Sequence, residues 1–155
     1  MSAAMIELEV LDAAPDDDAR AAIERLGGLG TVVLLVPEDW TGSANRYAAD
    51  GTLKVTAAAW SGTRVGPSDR TRRRSGAGRG LDRAAVARLE EIRANHEAGW
   101  LIAAEATLAT ARACPGLRVI CVGPANDDQN PTRPDHRAHS LLDAARFIET
   151  EEAFA

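Results

Sequence analysis

The sequence predicts a three-layer α/β sandwich with a mostly parallel, Rossmann-like sheet that carries one inserted β-hairpin. Three observations predict it. Thr31–Val36 (T-V-V-L-L-V) and Leu117–Val122 (L-R-V-I-C-V) are short and apolar on both faces, as strands covered by helices on each side must be. Helical periodicity fills the stretches around such runs, and alternating strands and helices build a parallel sheet between two helical layers. The hairpin rests on Asp50-Gly51, which lies between N-R-Y-A-A and T-L-K-V-T-A-A-A-W. A type I′ turn needs positive φ at both central positions, and Asp-Gly accepts that.

The elements follow in order. Met5 to Leu11 alternates, with Ile6, Leu8 and Val10 on one face and Glu7 and Glu9 on the other. That predicts a first strand with one solvated face, suited to a sheet edge. Pro15-Asp16-Asp17-Asp18 opens a helix through Leu26, with acids at its positive end, and Gly27-Gly28-Leu29-Gly30 stops it. Thr31–Val36 then completes a βαβ unit. After the hairpin, helical spacing resumes at the N-cap Asp82, with Leu81, Ala85, Val86, Leu89, Ile92 and His96 on one side. Residues 82–113 admit two readings. One is a single long helix. The other, which we prefer, breaks at Gly99 into a strand Trp100–Ala104 and a helix Glu105–Ala113, ended by Cys114-Pro115-Gly116. Leu117–Val122 is the next buried strand, and Gly123-Pro124 begins a polar loop. Ser140–Glu151 is the closing helix, with Leu141, Ala144, Ala145 and Ile148 facing inward.

Composition narrows the class. A chain of 155 residues, 45% hydrophobic, suits one domain spanning 1–155 with a real core. No apolar run approaches ~20 residues, so no membrane span is expected. The first ten residues carry acids where a secretory signal needs a basic flank and a long apolar stretch. Two cysteines, Cys114 and Cys121, make no disulfide framework, and a cytoplasmic, reducing compartment is expected.

The strongest charge feature is Arg64 to Arg83, with seven arginines against Asp69 and Asp82. The segment nets +5 on a chain of −5. Arginine is this chain's default base, 17 against the single Lys54, so the charge means more than the guanidinium shape. A basic, glycine-rich stretch just before a helix start is a candidate anion-binding element. Its candidate ligand-binding residues are Arg70, Arg72, Arg73, Arg74, Gly76, Gly78 and Arg79, in a loop spanning about 64–81. The G-x-G-x-x-G fingerprint of dinucleotide sites is absent, as is a phosphate loop ending in G-K-S/T. The loop has no aromatic for base stacking. Ser68–Gly80 has no large apolar anchor and is expected to be the most mobile internal segment.

Carboxylates supply the second candidate. Ligands in open parallel sheets sit beyond the carboxyl ends of the strands. Glu38 and Asp39 follow the strand Thr31–Val36, and Asp127 and Asp128 follow Leu117–Val122. These four could hold Mg²⁺ or Mn²⁺ through oxygen ligands, with arginines clamping a phosphate. Solvated surface acids are the simpler reading. A glutamate after an early strand and paired aspartates after a later one resembles the order in topoisomerase–primase domains. That family spaces its aspartates, whereas Asp127 and Asp128 are adjacent, and no function is carried over. Asp50-Gly51-Thr52-Leu53 resembles the D-G-T-L of haloacid-dehalogenase-type phosphatases. The position of that family's nucleophilic aspartate is here Ala48, so the resemblance implies no active nucleophile. Asp135-His136 is a candidate oriented general base, and with Asp127 and Asp128 completes the catalytic candidates. His136 and His139 form H-x-x-H without further ligand spacing, and His96 reads as a packed helix histidine.

Two functions of different class follow. The first is a domain that binds a phosphate-bearing ligand (nucleotide or nucleic acid), or an acidic protein surface, through the arginine segment. The second is a small Mg²⁺- or Mn²⁺-dependent phosphoryl-transfer or hydrolytic enzyme built on strand-end carboxylates.

Overall fold

A computed structural model describes residues 3–37, 39–40, 55–60, 83–104, 107–123 and 133–153. Its strands are β1 (Ala3–Glu7), β2 (Val32–Val36), β3 (Val55–Ala59), β4 (Ala98–Ala103), β5 (Arg118–Val122) and β6 (His136–Ala138). Its helices are α1 (Leu8–Ala13), α2 (Asp16–Leu29), α3 (Arg83–His96), α4 (Leu108–Arg112) and α5 (Leu141–Ala153). The sheet order is β3-β2-β1-β4-β5-β6, and every described pairing is parallel. This is a Rossmann-like α/β fold.

Period-two alternation divides the core into two layers. Leu34, Ile6, Ile102 and Ile120 are register partners in a row across β2, β1, β4 and β5. They face α1, α2 and α5, meeting Leu11, Ile23, Leu26 and Ile148. Val33, Met5, Leu101 and Val119 form the matching row on the other face, against Leu89 and Ile92 of α3 and Leu108 of α4. The two strands expected to be covered on both sides are internal, with Leu34 at 1% and Ile120 at 0% exposure.

Four expectations need correcting. The first strand is central rather than an edge, and it stops at Glu7. From Leu8 the chain is helical, because Leu8 and Leu11 bury at helical spacing and the glutamates interleaved with them mimicked strand alternation. Helix α2 runs through Gly27 and Gly28 to Leu29. The apolar stripe Ile23, Leu26, Leu29 continues to pack on the core, which outweighs roughly 1 kcal/mol of glycine propensity per residue. Gly99 does not end α3. The turn is made at Glu97, in the left-handed region at φ 51°, and Gly99 lies inside β4. Residues 83–112 are therefore helix, strand, helix. Last, β6 was hidden in the polar run D-H-R-A-H, where only Ala138 is buried.

The Asp50-Gly51 turn and the expected first hairpin arm lie outside the described residues. Of the expected second arm, Val55–Ala59 runs parallel beside β2, with Leu34 opposite Ala57. The arginine segment through residue 82, including the stretch expected to be mobile, also lies outside them. No helix among the described residues is long and apolar enough to cross a membrane.

Candidate functional site

The strand order reverses between β1 and β4: β2 and β3 continue to one side, β5 and β6 to the other. Sheets of this kind place ligands beyond the strand carboxyl ends at that reversal. A cleft of about 310 Å³ lies there. One wall is α1 and its turn into α2, with Glu9, Val10, Ala14, Pro15 and Asp18. The sheet supplies Ala104 and Val122, just beyond β4 and at the end of β5. The facing wall is His139, Ser140 and Leu141, where β6 passes into α5.

Two local devices fix the cleft. At the end of β1, the Glu7 carboxylate is only 2% exposed. It accepts the Ala104 N–H at 2.8 Å and the Thr107 hydroxyl at 2.8 Å. Those bonds tie β1 to the turn after β4 across the reversal point. At α5, Ser140 Oγ accepts the Asp143 N–H at 3.1 Å, while Asp143 Oδ2 accepts the His139 N–H at 3.1 Å. This cap satisfies one of the donors a helix start leaves free, the Asp143 N–H, and fixes the backbone just before it at His139. Gly123, at φ 109°, turns the chain off β5 and donates its N–H to Ala138 O at 2.9 Å. Positive φ there suits glycine.

The same place departs from a dinucleotide site. Residues 8–15, L-E-V-L-D-A-A-P, contain no glycine, and the first turn of α2 carries Asp16, Asp17 and Asp18. A pyrophosphate needs close backbone approach and an unopposed helix N-terminus there.

The overall likeness to known structures is loose. The chain aligns with a short-chain dehydrogenase/reductase from Serratia marcescens and with two double-substitution variants of such an enzyme. Identity is 13% and TM-scores are 0.40–0.41, over 97% of this chain and 65% of those chains. The chain thus spans just under two thirds of their length. No protein-family model matches the chain, and no curated protein matches it.

The candidates read from sequence do not converge in the described residues. Glu38, Asp127, Asp128, Arg70, Arg72, Arg73, Arg74, Gly76, Gly78 and Arg79 lie outside them. Asp39 is exposed beyond the end of β2, away from the cleft lining. No group of three His, Cys, Asp or Glu among the described residues is placed to hold a metal. Asp135 and His136 sit at the amino edge, opposite the cleft. Asp135 Oδ2 accepts from Arg112 Nη1 at 2.7 Å and from the Val119 N–H at 2.7 Å, clamping β6 to β5. The His136 ring stacks on Phe147, with centroids 3.8 Å apart. His136 and His139 lie at opposite ends of β6, roughly 10 Å apart by strand rise. Glu9, Asp18, His139 and Ser140 were not among the sequence candidates. The one local signal was S-x-x-D at 140–143, which marks a helix start.

Both cysteines are packed. Cys121 is in mid-strand, and burial with the nearby Glu90 pushes the Cys114 thiol up to about 11. Little thiolate therefore exists near neutral pH. A thiol reagent at pH 8 is expected to label neither cysteine in the native protein and both in denaturant. A raised thiol pKa stabilises the fold fully below about pH 9, the ordinary value, and loses that contribution as pH rises through about 11. Urea midpoints measured between pH 8 and 11 should fall accordingly.

Proposed function

We propose that this is a ligand-binding domain that takes a phosphate-bearing ligand at the carboxyl edge of its sheet, through the arginine segment. One placement carries the reading. β3 delivers the chain to that edge at Trp60, and α3 leaves it at Arg83. The described residues that flank the seven-arginine stretch, Trp60 before it and Arg83 at its end, both lie at the edge where folds of this kind bind ligands. The segment also leads directly into the start of a 14-residue helix, whose dipole adds to the attraction for anions. The carboxylate-metal enzyme is the second reading; of its four proposed metal carboxylates only Asp39 lies among the described residues.

Replacing Arg72, Arg73 and Arg74 with alanine tests this. Fluorescence anisotropy with a labelled oligonucleotide across a salt series should show binding weakened equally for all sequences. The log-log salt slope should fall by roughly 2 to 3, because phosphate contacts release counterions without reading bases. Thermal stability should hardly change. A labelled polyacidic peptide is the comparator. Binding of the peptide alone would replace the phosphate ligand with a protein partner, and absence of binding at low salt would remove the reading.

A further inference from the structure

We propose that the cleft between α1 and the start of α5 binds a small organic cation with an apolar body, independently of the arginine segment. Its volume of about 310 Å³ falls at the lower end of small-molecule sites, roughly 300–1,000 Å³. It lies where the strand order reverses, the ligand position of this architecture. The floor is apolar: Val10, Ala14, Ala104, Val122 and Leu141. Among the described residues the charged lining is of one sign, Glu9 and Asp18, with no lysine or arginine. Neither carboxylate has an ion-pair partner among the described residues. An apolar-walled recess with two like charges at its rim concentrates the opposite charge.

The competing attraction for an anion is weaker. The starts of α2 and α5 border the cleft, each offering about half an elementary charge. That of α2, at Pro15, is opposed by Asp16, Asp17 and Asp18 in its own first turn, which leaves that of α5. It is already matched by Asp143, whose carboxylate accepts the His139 N–H. His139 is an exposed rim residue, and Ser140 Oγ is committed to the Asp143 N–H. Two full carboxylate charges outweigh that end, so the ligand's cationic head faces Glu9 and Asp18 while its body covers Val10, Val122 and Leu141.

The test is calorimetric titration of the whole chain at low ionic strength with three probes of one shape: phenethylamine, 2-phenylethanol and phenylacetate. The amine is expected to bind at least roughly ten-fold more tightly than the alcohol, a difference of about 1.4 kcal/mol. Phenylacetate should bind least. Glu9→Gln with Asp18→Asn should bring the amine down to the alcohol's affinity. Ala14→Phe, which fills the cleft and leaves both charges, should abolish amine binding. Circular dichroism checks that each variant is folded. Equal affinity for the three probes would overturn the proposal, as would no heat from the amine. So would an amine affinity that the charge variant leaves unchanged, or amine binding that survives Ala14→Phe. The arginine triple variant should bind the amine unchanged, which separates failure here from failure of the phosphate reading.

Discussion

Glu7→Leu is expected to destabilise the fold by roughly 2–5 kcal/mol, because it removes the acceptor of the buried Thr107 hydroxyl and of the half-buried Ala104 N–H and puts no polar group in its place. The Ala104 N–H and the Thr107 hydroxyl both end on this carboxylate, at 2.8 Å each. Thr107 is itself 1% exposed, so water does not take over. For a chain of this length the loss lowers the melting temperature by about 5–15 °C. Glu7→Gln separates acceptor geometry from charge. Its amide oxygen can accept the Ala104 N–H, and its NH₂ can donate to the Thr107 oxygen once that hydroxyl rotates. It should cost less than half as much as the leucine variant. Thr107→Val removes one partner and should cost about 1–2 kcal/mol. Combined with Glu7→Gln, it should be clearly non-additive, since the residues share a bond. Urea unfolding followed by tryptophan fluorescence measures all four. A leucine variant as stable as wild type would show that the clip across the reversal point contributes nothing.

The buried strands announced themselves because burial on both faces demands an apolar run, and T-V-V-L-L-V and L-R-V-I-C-V have few other uses. The first strand was misread for the reason that makes it informative. Glu7 in a central strand looks like a solvated face, yet its carboxylate is inside, satisfied by groups about 100 residues away. No local pattern encodes a partner at that separation. Likewise β6 is three residues long and forms because Ile120–Val122 offers a free edge, not because H-R-A prefers to extend. The cleft was invisible for a related cause. Glu9, Asp18, Ala104, Val122 and His139 are five separate positions that only the strand order brings together. The sequence candidates relied on acids and arginines that cluster along the chain, and proximity along the chain is a weak guide to proximity in a parallel sheet.

Ile102→Ala is expected to cost roughly 2–5 kcal/mol, in the range of large-to-small changes in a close-packed core. Ile102 is fully buried on β4. It stands between Ile6 of β1 and Ile120 of β5, at the middle of the apolar row beneath α1, α2 and α5. Strands hydrogen-bonded on both sides cannot slide inward to fill a void, so the cavity term should be retained in full. Ile102→Val keeps β-branching and most of the volume, and should cost only about 0.5–1.5 kcal/mol. Position in the row sets the comparison. Val55 begins the edge strand β3, which pairs with β2 on its described side, and is the most exposed of the buried strand residues. Val55→Ala should therefore cost less than about 1.5 kcal/mol, since neighbours there can relax. The double variant Ile6→Ala with Ile102→Ala should depart from additivity by about 0.5 kcal/mol or more, because the two cavities merge. Urea midpoints with unchanged slopes measure these differences directly. An Ile102→Ala cost no larger than that of Val55→Ala would place the centre of the core elsewhere than beneath the strand reversal.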